Sequence, residues 1–127
     1  MLKLLLVALG GALGSVARYG VNVLAAHADL RLPWATFAVN VLGCLLIGAV
    51  MGYTERHPGW GALALPFLVT GFLGGFTTFS AFGHESFRLI RDGESGLALA
   101  NLTGNVLLGL AGVWFGWVAA RWCAGEA

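Results

Sequence analysis

Apolar residues fill four long stretches of the chain, and charged residues fall between them. The first stretch covers about 4–26 and gives way to His27, Asp29, Arg31 and Pro33. The second, about 34–54, is uncharged until Glu55, Arg56 and His57, which precede the turn pair Pro58-Gly59. A third begins near Pro66, stays uncharged through Gly83 and is expected to end near residue 90, among Glu85, Arg88, Arg91, Asp92 and Glu94. The fourth covers about 97–120 and meets Arg121. Each reaches the ~20 residues that a helix needs to cross about 30 Å of hydrocarbon. The pattern predicts one all-α membrane domain over residues 1–127, with four spans and loops too short to hold a soluble catalytic domain.

Composition agrees with this reading. Of 127 residues, 58% are hydrophobic and 10% charged, and the mean hydropathy is +0.83. A soluble domain averages roughly 25% charged residues, so a water-soluble globule is excluded. The net charge of +1 excludes the basic footprint of nucleic-acid binding. Twenty glycines fit closely packed membrane helices. Cys44 and Cys123 form no metal-type or CxxC spacing and read as packing residues. His27, His57 and His84 are far apart and read as interfacial. No Ser/His/Asp arrangement or phosphate loop points to an enzyme. Lys3 and Leu4–Leu6 also resemble the start of a secretory signal, but the apolar run to Ala26 outlasts the 7–15 residues of such a segment.

Orientation follows from basic residues near the helix ends. With four spans, Lys3, Arg56 and Arg121 lie on one side of the membrane, and Arg31, Arg88 and Arg91 on the other, with Arg18 inside the first span. A balanced count gives no strong preference, so insertion in both orientations and insertion dominated by one orientation both remain open.

Polar residues within spans mark candidate function. Gly11, Ser15, Arg18 and Asn22 recur on one face of the first helix. Arg18 costs ~2.5–3.5 kcal/mol at a helix centre unless it meets water or a partner. Thr36, Asn40 and Gly43 share a face of the second. Asn40 there reads either as an interhelical hydrogen bond or as an N–H donor for an anion in a pore. Asn101 and Asn105, followed by Gly109, Gly112 and Gly116, form a stripe on the fourth. It reads as a ladder of amide dipoles or as a packing seam. In the third span, three glycines and two threonines of Gly71-Phe-Leu-Gly-Gly-Phe-Thr-Thr-Phe-Ser-Ala-Phe82 weaken a helix, so a break is expected near Gly74–Thr78 at mid-membrane. Freed carbonyls at such a break suit a cation. Phe79 and Phe82 follow at i, i+3 and read as packing or as electropositive ring edges facing an anion.

These stretches resemble the fluoride-specific ion channels of the Fluc family. The resemblance lies in GGALGSVARY from Gly10, PWATFAVNVLGCLLIG from Pro33, GFLGGFTTFSAF from Gly71 and NLTGNVLLGLAGVWFG from Asn101. It implies an antiparallel, dual-topology homodimer with two fluoride pores at its interface, in the plasma or inner membrane of a bacterium. It further implies a structural sodium ion at the dimer centre, held by the carbonyls of Gly74 and Thr77. Asn40, Phe79, Ser80, Phe82, Asn101 and Asn105 would line the pore, and Arg18 would sit in the vestibule. The family often reads TTFSTFS where this chain has Ala81 and Gly83, so two family hydroxyls are replaced here.

Two transport classes compete on these features. A passive fluoride channel, exporting fluoride from the cytoplasm, needs closely placed donors to replace water around a small, strongly hydrated anion. A small multidrug-type, proton-coupled transporter shares the four-helix plan but needs a membrane-embedded acid. The first span has none, and Glu85 lies near a helix end.

Adding two lysines after Glu126 is expected to drive most chains to a C-terminus-inside orientation. Cells making only that variant should lose fluoride resistance, and should regain it on co-expression of a chain with two lysines inserted beside Arg91. Full protection by the first variant alone, with a reporter confirming one orientation, would contradict an antiparallel dimer.

Overall fold

A computed structural model describes residues 1–26, 32–123 and 125. His27, Asp29, Arg31 and Glu126 lie outside the described residues. The described chain is helical: α1 (Leu2–Ala25), α2 (Trp34–Arg56), α3 (Gly61–Ala64), a π-helical segment (Leu65–Leu73), α4 (Gly74–Phe76), α5 (Phe79–Arg91) and α6 (Ser95–Cys123). By length and apolar content, four stretches can cross a membrane: α1, α2, the series Gly61–Arg91, and α6.

Local sequence accounts for most boundaries. Pro33 stands just outside α2 and its carbonyl accepts from Phe37 N–H at 3.0 Å. The third stretch begins at Gly61 rather than near Pro66, because Pro66 sits at the start of the π-helical segment, where a missing N–H is tolerated. The widened winding of that segment shows where Gly74 N–H reaches back five residues to the Val69 carbonyl. An apolar pattern alone does not distinguish this winding from an α-helix. At the end of α5, Gly93 adopts φ +82. This lets Glu94 N–H bond Leu89 O at 2.8 Å and Gly93 N–H bond Ile90 O at 3.1 Å, which pairs the last carbonyls before the chain turns into α6.

The helices meet along two seams. α2 packs most extensively on α6, and α1 on the π-helical segment and α4. Both seams require backbone contact. A Cβ on Gly116 would fall 2.0 Å from the Leu45 carbonyl oxygen, and one on Gly14 would fall 2.0 Å from that of Phe72. The α6 seam therefore uses the glycine stripe read from the sequence. On α1 the seam runs through the buried Gly10 and Gly14 and the backbones of Gly11 and Ser15, while Asn22 is exposed.

Large apolar side chains such as Leu4, Leu107, Leu110 and Trp122 point outward, and the buried apolar set is small: Val39, Leu73, Phe76, Phe82, Leu89 and Ala98. This is the distribution expected where lipid covers the surface, since lipid tails are as apolar as leucine and packing rather than water exclusion joins the helices. At one end of the α2/α6 seam, Trp117 Nε1 donates to Glu55 Oε2 at 3.0 Å, and the Arg121 guanidinium lies 4.4 Å over the Trp117 ring. These contacts tie the two helix ends together where aromatic and basic residues meet the membrane surface.

Candidate ion pathway

The site is organised around two residues with extended backbone. Thr77 (φ −81, ψ 158) and Thr78 (φ −152, ψ 115) separate α4 from α5. Extended residues in an apolar setting leave backbone groups unpaired unless side chains supply partners. Here they do.

Asn40 of α2 supplies the main replacement. Its Oδ1 accepts from Thr78 N–H at 2.9 Å, and its Nδ2 donates to the Thr78 carbonyl at 3.3 Å. One amide thus satisfies both backbone groups of one extended residue. One turn along α2, a Cβ on Gly43 would lie 2.1 Å from Thr77 Cγ2, so glycine makes the room that Thr77 occupies. Thr78 Oγ1 caps α5 by accepting from Ala81 N–H at 3.2 Å, and it lies 3.2 Å from Ser80 Oγ. Thr77 Oγ1 donates back to the Leu73 carbonyl at 2.9 Å. Arg18 Nε donates to the Gly75 carbonyl at 3.0 Å, a cation at the carbonyl end of a helix.

These substitutions divert two particular donors. Thr78 N–H would pair the Gly74 carbonyl in a continuous helix, and Ala81 N–H would pair that of Thr77. Both are held by side-chain oxygens instead. The carbonyls of Gly74 and Thr77 are therefore without their helical donors, and Gly74 is exposed. Two such oxygens are hard ligands, suited to a cation such as sodium rather than to a thiolate- or imidazole-seeking metal.

A cavity of about 390 Å³ opens beside the interruption. It brings together Asn40, Gly74, Thr77, Phe79, Phe82 and Asn105. The phenylalanine rings stand 5.5 Å apart at 56°, yet their settings differ: Phe82 is 7% exposed and Phe79 82%. Of the other residues picked out by sequence, Ser80 is exposed outside the cavity lining, Arg18 lies on the α1 side of α4, and Asn101 is buried behind Asn105.

The asparagines on α6 are tied to the one on α2. Asn40 Nδ2 also donates to Asn105 Oδ1 at 3.2 Å. Asn105 Nδ2 donates to the carbonyl of Asn101 at 2.9 Å and to its Oδ1 at 3.0 Å. Asn101 Nδ2 reaches Ser86 Oγ at 2.9 Å. Asn40 thus makes the interhelical bonds, joining α2 to Thr78 and to α6, and it also lines the cavity.

Two neighbours were missed by sequence reasoning. Ser86 is buried on α5, one turn beyond Phe82, and that i, i+4 spacing was the available signal. Glu85 accepts from Thr36 Oγ1 at 2.8 Å, with its other oxygen buried and without a protein partner. Its place near the end of a charged cluster hid a contact that depends on how α2 and α5 cross.

Comparison with known proteins agrees with this architecture. The chain is 48% identical over 125 residues to the fluoride-specific ion channel FluC of Solibacter usitatus, covering 94% of this chain and 99% of that one. It is 50% identical over 115 residues to the protein of the same name from Paracoccus denitrificans, covering 91% of each. Against FluC 2 of Nocardia farcinica it is 44% identical over 124 residues, covering 98% of this chain and 89% of that one. Residues 5–117 match the family described as CrcB-like protein, Camphor Resistance (CrcB), and with nearly the whole chain matched to it, this multi-pass membrane protein belongs to that family.

Proposed function

We propose that this protein is a passive fluoride channel that lets fluoride out of the cytoplasm. The observation that carries the reading is the cavity in which Asn40, Asn105, Phe79 and Phe82 meet beside the start of α5. A helix start carries positive partial charge, and here it follows directly on extended residues. The relatives named above are fluoride-specific ion channels, and the cavity chemistry agrees with that name.

The donors in the cavity are engaged rather than idle. Asn40 Nδ2 spends its hydrogens on the Thr78 carbonyl and on Asn105 Oδ1, at 3.3 and 3.2 Å. An arriving fluoride would share an Asn40 Nδ2 hydrogen with these acceptors and take a charge-assisted hydrogen bond there, while Thr78 N–H stays on Asn40 Oδ1. The ring edges of Phe79 and Phe82 supply further positive potential without a competing hydrogen bond. None of these groups gains or loses a proton, which suits passive conduction.

The active unit is an antiparallel dimer. Phe79, 82% exposed beside the cavity, is half of an aromatic pair that a second subunit would enclose. A sodium ion at the dimer axis fits the carbonyls of Gly74 and Thr77, whose helical donors are diverted. When bound, it supplies positive charge that fixes the interruption and joins the two subunits. Ser80 and Asn101 belong to the pathway in this reading, and Arg18 to its vestibule.

Fluoride efflux from liposomes holding the purified protein, with chloride efflux as control, tests the function directly. Fluoride should leave and chloride should stay; equal rates or none would refute it. Phe79→Ile or Phe82→Ile should slow fluoride efflux between about two- and tenfold while the dimer persists, on the scale of the about 0.5–1.5 kcal/mol that aromatic edge contacts contribute. Parental rates in both variants would remove the aromatic role.

Replacing sodium by a large organic cation should lower the thermal unfolding midpoint of the dimer by several degrees, because an ion bound only to the native state stabilises it in proportion to its occupancy. Equal midpoints in the two buffers would count against the cation site.

A further inference from the structure

The three amides belong to a longer series of hydrogen bonds whose two ends lie close together in the chain. Thr78 N–H donates to Asn40 Oδ1, Asn40 Nδ2 to Asn105 Oδ1, and Asn105 Nδ2 to Asn101 Oδ1, at 2.9, 3.2 and 3.0 Å. Asn101 Nδ2 then donates to Ser86 Oγ at 2.9 Å, and the Ser86 hydroxyl donates to the Phe82 carbonyl at 2.8 Å. Every bond runs the same way. The direction is imposed at both ends, because a backbone N–H only donates and a carbonyl only accepts. Turning over any one amide would set hydrogens against hydrogens on one side and oxygens against oxygens on the other. Bonds aligned in this manner also polarise one another.

Ser86 is the link that joins Asn101 to the Phe82 carbonyl. Its hydroxyl accepts from an amide and donates to a carbonyl at the same time, a combination that no apolar residue offers. Ser86 is 4% exposed and Asn101 1%, so bulk water does not stand in for it. Phe82, whose carbonyl ends the series, carries one of the two rings beside the cavity.

We propose that Ser86 is a positioning residue of the ion pathway: by accepting from Asn101 while donating to Phe82, it holds the Asn101 side chain with its Oδ1 toward Asn105. Thr78 turns Asn40 through its N–H and its carbonyl, and the Asn101 carbonyl turns Asn105. What Ser86 adds is the second acceptor that keeps Asn105 in place against Asn40. The proposal rests on the fluoride reading, since Asn40 and Asn105 line the cavity that the anion would cross.

The test compares three variants of the full chain in liposomes. Ser86→Ala should slow fluoride efflux about tenfold, the equivalent of about 1.4 kcal/mol, with the dimer intact. Ser86→Thr keeps the hydroxyl and should restore efflux. Ser86→Cys nearly keeps the volume but is a weak hydrogen-bonding group, and should follow Ser86→Ala. If Ser86→Cys conducts as the parent does, or if all three variants do, packing rather than the Ser86 hydrogen bonds is at work and the proposal fails.

A second readout does not depend on conduction. The chain has four asparagines and no glutamine, so asparagine-labelled protein gives four side-chain amide signals in nuclear magnetic resonance. Ser86→Ala should shift those of Asn101, Asn105 and Asn40 and leave Asn22 in place. A shift confined to Asn101 would overturn the proposal. Should the parent itself carry no fluoride, the fluoride reading falls, and the amide spectrum alone decides whether Ser86 positions the amides.

Discussion

The pairing of the Asn40 amide with both backbone groups of Thr78 is the interaction on which the rest of the site depends. Extended backbone among apolar spans leaves an N–H and a carbonyl without helical partners, and each unsatisfied group in hydrocarbon costs several kcal/mol. A primary amide is the side chain suited to answer both at once, because it carries a donor and an acceptor in the same plane. Remove it and the extended residue loses the partners of both its backbone groups, which loosens everything the interruption positions.

What it positions are two helix ends of opposite sign. The carbonyl end, at Gly74 to Thr77, is met by Arg18 at Gly75 and retains two carbonyls suited to a cation. The N–H end, at Phe79, adjoins the cavity with its amides and rings. A continuous helix would cancel these partial charges along its length. Interruption therefore gives a chain with 10% charged residues two helix ends of opposite partial charge within one span, the carbonyl end met by Arg18 and the N–H end facing the cavity. Glycine supports this indirectly: Gly43 makes room for Thr77, and Gly14 and Gly116 bring the supporting helices to backbone contact.

Much of this was legible in the sequence, for identifiable reasons. Four uncharged runs of membrane length give four spans, and their order needs no tertiary information. Asn40, Asn101 and Asn105 stood out because polar residues are costly in such runs. Their mutual bonding did not, since it depends on the crossing of α2 over α6. Periodicity placed Gly11, Ser15, Arg18 and Asn22 on one face; Gly11 and Ser15 meet Gly71 and Gly75 through their backbones and Arg18 bonds Gly75, while the neighbouring Gly10 and Gly14 complete the seam. Small residues at neighbouring positions are equally able to line a seam, and the partner decides between them. The π-helical winding at Leu65–Leu73 was invisible for a similar reason, being a response to Pro66 and to packing against α1. Ser86 carried only its i, i+4 spacing from Phe82 as a signal, and its bond to Asn101 depends on how α5 packs against α6.

Hydrogen exchange at the Thr78 amide in lipid-embedded protein tests the central pairing most directly. The account predicts a protected Thr78 N–H in the parent. In Asn40→Ala it predicts exchange at least tenfold faster at Thr78, as expected for loss of a bond worth about 1.5 kcal/mol, while amides in the middle of α6 keep their protection. Fast exchange at Thr78 in the parent, or equal protection in parent and variant, would contradict it.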